Sequence, residues 1–331
     1  MNRHFLFTVM ALSGAITVNL HAERIVTTLN QGWEFTKGRP EALTVWQQVR
    51  VPHDWAIYGP FDRDNDLQTV AVEQNGEKEK TEKTGRTGGL PFIGKGTYRT
   101  VFEVPDTANR NITLVFDGAM SNAHVKVNGK EVAYWPYGYN SFYNDVTDAV
   151  VPGKNEMVVE LENYERASRW YPGAGLYRNV HVVNTHKIHI PIWGTYITTP
   201  SVSTEKASVR LEMEIDGAEK GDRIEVKTEI ISPEGKIVAS NNAPFIAQGQ
   251  IHSQNFLISQ PELWSPETPR LYTARTKIEK NGNIVDCYDT RFGIRKLEYI
   301  PEQGFFLNGT IVKFKGCLLY TSPSPRDRQK S

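Results

Sequence analysis

Apolar and polar positions alternate with a period of two along most of this chain. Residues 97–104 (Thr-Tyr-Arg-Thr-Val-Phe-Glu-Val) and 112–116 (Ile-Thr-Leu-Val-Phe) each send successive side chains to opposite faces. That pattern predicts strands with one face on a core. Residues 123–127 lead into Asn128-Gly129, a type I′ turn signal, and 131–135 return from it. Residues 156–161 and 179–183 continue the series. A second block begins near His186, with clear alternation over 208–215, 223–231 and 271–278. Pro233-Glu234-Gly235 and Asn281-Gly282 mark turns between its strands. No segment past residue 22 keeps a helical period over three turns. Short strands with regular turn signals predict an all-β chain of two sandwiches. The second block, with about seven strands, suits an immunoglobulin-like sandwich without a cysteine pair.

The two ends depart from this pattern. Residues 1–22 read as a secretory signal: Arg3 and His4 start it, a mostly apolar run spans Phe5 to Val18, and Ala22 is a small residue at a cleavage point. The run is too short to span a bilayer, and no other long apolar run follows. The expectation is therefore an exported chain, periplasmic or extracellular in a bacterium, without a membrane anchor. Asn308-Gly309 sits between apolar runs in 304–316 and predicts a hairpin. Residues 317–331 have no period, hold two prolines, and resemble translated adapter sequence, so they are set aside as non-native.

Composition narrows the function. The 331 residues carry 38 Lys+Arg and 38 Asp+Glu, so the formal net charge is zero and nucleic acid is not an expected partner. Two cysteines exclude a disulfide scaffold and a Cys-ligated zinc site. His186 and His189 have no further ligand residue at suitable spacing, so no metal is expected. Gly173-Ala174-Gly175 lacks the third glycine and the helix of a dinucleotide site, and no Gly-x-Ser-x-Gly elbow occurs. No cofactor is called for. Residues 62–89, polar and glycine-bearing, read as a surface loop with a solvated charge run.

Some segments are denser in aromatic residues than a core requires, among them Val51-Pro52-His53-Asp54-Trp55, and 168–178, where Trp170, Tyr171 and Tyr177 surround two glycines. Aromatic faces stack on sugar rings while Arg and Asp bind hydroxyls, so carbohydrate contact is chemically available. A core role for each tryptophan is the competing reading.

Several motifs in order carry a resemblance. Gln31–Phe35, Val51–Trp55, Gly89–Arg99 (Gly-Leu-Pro-Phe-Ile-Gly-Lys-Gly-Thr-Tyr-Arg), Phe116–Met120, Val127–Lys130 and Ser168–Arg178 look like the galactose-binding-like jelly roll of family 2 glycoside hydrolases, in particular its bacterial β-galactosidase branch. Leu263–Tyr272 and Thr290–Lys296 resemble the end of that family's immunoglobulin-like domain, and 306–316 the hairpin entering its catalytic barrel. The resemblance implies a jelly roll over 23–185, an immunoglobulin-like sandwich over 186–294, and the start of a (β/α)₈ domain at 295–316. It also implies a retaining mechanism with two Glu residues on the barrel. The pattern breaks after Gly316, so no catalytic residue is assigned, and the chain alone is expected to be inactive. Two stretches are candidates for substrate binding: Asp64, Asn65 and Asp66, and Ser168 with Arg169. A solvated turn competes for the first, and structural ion pairs for Arg169 and Arg178. The implied partner is a β-galactoside or related oligosaccharide, with β-glucuronides and β-mannosides as family alternatives. A homo-oligomer is possible for the full-length parent, and a free-standing carbohydrate-binding module or a purely structural brace are the competing roles.

Overall fold

A computed structural model describes residues 24–41, 44–59, 61–62, 67–71, 80–84, 92, 94–164, 172–246 and 251–314. The described residues fold as strands, with no α-helix among them.

The first part of the chain supplies β1 (Ile25–Thr28), β2 (Trp33–Lys37), β3 (Gln47–Val49), β4 (Leu67–Ala71), β5 (Lys80–Thr84), β6 (Gly94–Val104), β7 (Arg110–Phe116), β8 (Ala123–Val127), β9 (Lys130–Trp135), β10 (Phe142–Asp145), β11 (Gly153–Asn163) and β12 (Val180–His186), and all but β4 and β5 form the first sandwich. One sheet has the order β1-β12-β7-β10 and the other β3-β2-β6-β11-β8-β9. The longest ladder is antiparallel β6 on β11, from Gly94↔Asn163 to Val104↔Gly153. Alternation along these strands drives the layering: inward Met157, Val159 and Leu161 of β11 are buried between solvent-facing neighbours. They join Trp33, Phe35, Trp55, Tyr98, Ile112, Leu114 and Phe116 in one core. Each such side chain contributes about 1.5–3 kcal/mol of burial.

The segment expected to be one surface loop is corrected in part. β4 and β5 pair as an antiparallel ribbon, Leu67↔Thr84 to Ala71↔Lys80, so residues 62–89 include a two-stranded sheet. Alternating Lys, Thr and Glu over 80–84 is compatible with a ladder.

The second sandwich comprises β13 (Thr195–Val202), β14 (Lys206–Met213), β15 (Arg223–Ile231), β16 (Ile237–Ile246), β17 (His252–Ser259), β18 (Tyr272–Lys280) and β19 (Asn283–Phe292). Its sheets are β13-β14-β17 and β16-β15-β18-β19. The core between them holds Val209, Leu211, Met213, Ile224, Val226, Ile230 and Ile278. A three-stranded sheet follows, β20 (Leu297–Ile300), β21 (Gly304–Leu307) and β22 (Thr310–Ile311). Asn308 and Gly309 take φ of 53° and 80° at its tight turn, as a type I′ turn requires.

Candidate functional site

Four connecting segments meet at one end of the first sandwich: 51–59, 117–122, 136–141 and 172–179. The backbone cross-links them. His53 N–H donates to the Leu176 carbonyl (2.7 Å), and Met120 and Gly175 exchange two bonds of 2.9 and 3.0 Å. Asn163 donates to the Gly173 carbonyl (2.8 Å), Tyr177 Oη to the Gly138 carbonyl (2.6 Å), and Ser141 Oγ to the Asp117 carbonyl (3.0 Å).

The first segment is pinned by its own chemistry. Asp54 accepts from Ala56 N–H at 3.0 Å and so caps the short 3₁₀ segment Trp55–Tyr58. Trp55 is buried, stacked on Phe35 with centroids 5.5 Å apart. Gly96 permits that packing, since a Cβ there would stand 2.7 Å from the Trp55 ring and 2.8 Å from Phe35. Gly175 lies at φ 102°, where a side chain would be strained and would meet the His53 carbonyl at 2.6 Å.

His53 and Tyr98 form the polar centre. His53 Nδ1 is 2.7 Å from Tyr98 Oη, and the His53 ring stacks on Tyr58. Burial lowers the His53 pKa against the opposing pull of Asp54. Burial holds the Tyr98 hydroxyl well above its ordinary value. Both shifts favour the uncharged forms, a neutral imidazole beside a neutral phenol. Asp54 Oδ2 lies 3.7 Å from where a Gly173 Cβ would be, so the carboxylate faces the 172–176 segment.

The loop 136–141 brings a further group. Tyr137 and Tyr139 are exposed, with ring centroids 5.6 Å apart and planes inclined by 56°. Arg178 is exposed and sits over the Tyr177 ring at 5.5 Å, with no carboxylate partner among the described residues. The alternative of a structural ion pair at Arg178 is therefore not what the described residues form.

The expected contact residues Asp64, Asn65, Asp66, Ser168 and Arg169 lie outside the described residues, as do Trp170 and Tyr171. The structure does bring the flanks of the two aromatic motifs together, His53 against Leu176 and Asp54 against Gly173. Sequence reasoning missed Tyr98, Met120, Tyr137 and Tyr139. The run Tyr134-Trp135-Pro136-Tyr137-Gly138-Tyr139 was a signal that could have found the last two.

Among the described residues, the other charged groups do not make a hydrolytic centre. Glu234 and Glu262 face each other beside Arg270, at 3.8 and 3.5 Å from it. The proximity of the two carboxyls lowers the pKa of Glu234 and raises that of Glu262. A retaining glycosidase keeps about 5–5.5 Å between its carboxyls, with a sugar ring between them. Carboxyls this close, both held on Arg270, leave no such space. A cleft of about 330 Å³ at the junction of the sandwiches is lined by Asn109, His186, Lys187, Glu219, Asp222 and Lys280. Its charges are committed to Lys187–Glu219 (3.1 Å) and Lys280–Asp222 (2.9 Å) pairs. His186 Nδ1 accepts from Ile188 N–H (2.9 Å), and His189 Nδ1 is 3.0 Å from the Lys187 carbonyl. Among the described residues no three His, Cys, Asp or Glu side chains converge on a metal position.

Comparison with known proteins adds the family context. Residues 90–189 match the model described as "Glycosyl hydrolase 2 galactose-binding domain-like", and residues 188–295 match "Glycosyl hydrolases family 2". The chain is 33% identical over 282 residues to Beta-galactosidase BoGH2A of Bacteroides ovatus, covering 83% of this chain and 31% of that protein. It is 32% identical over 320 residues to a protein of Formosa agariphila provisionally named a β-glucuronidase, covering 94% of this chain and 29% of the relative. The chain thus spans about a third of the length of these relatives. A crystal structure of a glycosyl hydrolase family 2 member from Bacteroides cellulosilyticus superposes with a TM-score of 0.76 at 28% identity, over 88% of this chain and 38% of that one.

Proposed function

Because the chain belongs to glycosyl hydrolase family 2, we propose that it is the leading two-sandwich part of an exported, retaining β-glycosidase acting on β-galactosides. The observation that carries this reading is the succession of both family models, without a gap, over 90–295 on a matching fold. The chemistry of retention needs one carboxylic acid to protonate the leaving oxygen and one carboxylate to attack the anomeric carbon. Neither group is assigned among the described residues. The bond-breaking pair then belongs to further polypeptide, in keeping with relatives about three times as long. The sandwiches supply a rigid frame, and the loop end around His53, Asp54 and Gly173–Arg178 supplies the sugar-facing rim. Residues 1–22 direct export in this reading. The Formosa relative, similar over 94% of this chain, favours a second substrate class, the β-glucuronides.

The test compares the 331-residue chain with the same chain extended by the genomic reading frame beyond residue 316. Aryl β-galactoside, β-glucuronide and β-mannoside are the substrates, with the anomer of the first product followed by NMR. The expected result is β-galactoside hydrolysis with retention by the extended chain and none above a mock preparation by the short one. Turnover by the pure short chain, or inversion by the extended one, defeats the proposal. Preference for the glucuronide transfers it to the second reading.

A further inference from the structure

We propose that Asn281 is a site of spontaneous modification, where this chain loses a side-chain amide through attack by the glycine that follows. The inference concerns the second sandwich and does not depend on the glycosidase reading. Asparagine is a thermolabile residue, and the step needs only water. The backbone nitrogen of Gly282 attacks Asn281 Cγ, and the side-chain amide leaves as ammonia, carrying the proton that the attacking nitrogen gives up. A five-membered succinimide results. Water then opens the ring at either carbonyl, giving aspartate or isoaspartate. Both products carry a new carboxylate. The isoaspartate route also runs the main chain through Cβ and so adds an atom to the turn.

Three Asn-Gly pairs among the described residues make an internal comparison. Asn128-Gly129, Asn281-Gly282 and Asn308-Gly309 each close a two-residue turn between paired strands, at Val127↔Lys130, Lys280↔Asn283 and Leu307↔Thr310. Their backbones nearly coincide, with φ of 49° and 80°, 54° and 79°, and 53° and 80°. A Cβ on any of these glycines would meet nothing within 4 Å, so each turn is equally open. Turn geometry and the reacting dipeptide therefore do not separate the three. A fourth pair, Asn75-Gly76, lies outside the described residues.

Side-chain bonding does separate them. Asn128 Nδ2 donates to the Ala149 carbonyl (2.9 Å) and to Asn155 Oδ1 (2.8 Å), and its Oδ1 accepts from Glu156 N–H (3.0 Å). Asn308 Nδ2 donates to the Trp264 carbonyl (3.0 Å), and its Oδ1 accepts from Lys296 N–H (2.9 Å). Those bonds must break before Cγ can swing onto the glycine nitrogen. The Asn281 side chain makes no hydrogen bond to a described residue, and the Gly282 N–H makes none to the described backbone. Asn281, Gly282 and Asn283 are all exposed. Exposure alone is not the criterion, because Asn128 is exposed as well. Each bond that must be released slows the attack several-fold, so the two at Asn308 and the three at Asn128 amount to about tenfold or more.

The experiment incubates the 331-residue chain in mildly alkaline buffer made with heavy-oxygen water, both folded and in urea, and then digests it under acidic conditions. Mass mapping of the peptides follows the loss of ammonia and uptake of water oxygen at each Asn-Gly pair. Electron-transfer fragmentation separates isoaspartate from aspartate. In the folded chain the expected result is conversion at Asn281 about tenfold or more faster than at Asn128 or Asn308, with isoaspartate among its products. In urea the three rates should come together, since the bonds that hold Asn128 and Asn308 are then gone. Comparable rates at the three sites in the folded chain overturn the proposal, as does faster conversion at Asn128 or Asn308. An undiminished lead for Asn281 in urea also overturns it, because the lead then comes from its sequence neighbours and not from the fold.

Discussion

His53, His186 and His252 each sit where burial disfavours the imidazolium, and burial is the first cause of each lowered pKa. A native pKa below the ordinary 6.5 means that the unfolded chain binds more protons than the native one as pH falls below about 6.5. The stability that neutral imidazoles provide is complete above that pH. It erodes as pH drops toward the depressed native values. His252 is the sharpest case, since its Nε2 is buried without a hydrogen-bond partner among the described residues and its ring meets Phe245 edge-on. Urea unfolding should therefore show a lower midpoint at pH 5.5 than at pH 7.5. His252→Phe removes one of the three titrating groups and an unsatisfied nitrogen, so its midpoint should fall less over the same interval. An equal fall in both proteins contradicts the assignment. The comparison also cancels the exposed carboxyls Glu234 and Glu262, which titrate alike in both.

The strand that opens the described chain, β1, is tied to the second sandwich by one residue. Arg24 Nε and Nη2 reach Asp286 Oδ1 and Oδ2 at 3.2 and 2.8 Å, and Nη2 also donates to the Ile190 carbonyl. Ile190 N–H donates to Asp286 Oδ2 at 2.9 Å, and Tyr288 lies under the guanidinium. The Asp286 side chain is fully buried and that of Arg24 is 9% exposed. Removing one partner of such a pair leaves an uncompensated buried charge, at a cost of about 3–5 kcal/mol. Arg24→Met should destabilise by that order in chemical denaturation, whereas Arg24→Met with Asp286→Leu should recover most of the loss. A wild-type midpoint for the single variant rules the tie out. The same element shows where sequence legibility stops. Strands such as Ala123–Val127 and Arg223–Ile231 are readable because alternation is local. Asn128-Gly129, Asn281-Gly282 and Asn308-Gly309 are readable because both residues of each turn need positive φ, which all six have. A partner 262 positions away leaves no such trace at Arg24. The candidate site divides in the same way. Its aromatic motifs are visible in the chain, but their meeting depends on the sheet order β3-β2-β6-β11-β8-β9, which periodicity does not encode.

At the scale of the molecule, the three-stranded sheet β20–β22 holds an apolar face outward. Tyr299 is 78% exposed, with exposed Leu297 on the same face two residues before it, and Phe314, just past the sheet and 77% exposed, packs on Phe305, the cross-strand partner of Tyr299. The sheet is not free to fold this face away. Asn308 Nδ2 donates to the Trp264 carbonyl at 3.0 Å, and Asn308 Oδ1 accepts from Lys296 N–H at 2.9 Å, so the turn is locked to the second sandwich. Clustered exposed apolar side chains mark a contact surface, and in the proposed longer enzyme the polypeptide beyond this sheet is the nearest occupant. The consequence separates the two chain lengths. In the 331-residue chain, Tyr299→Ser and Phe314→Ser should shift stability by no more than about 0.5 kcal/mol, as surface changes do. They should also reduce hydrophobic-dye binding and self-association. In the extended chain the same substitutions should cost about 1–3 kcal/mol each, because the rings are then buried. Thermal and urea unfolding of the four proteins reads the difference directly. An equal response in short and extended chains means that the added polypeptide does not cover this face, and the hairpin then displays its aromatic residues for some other contact.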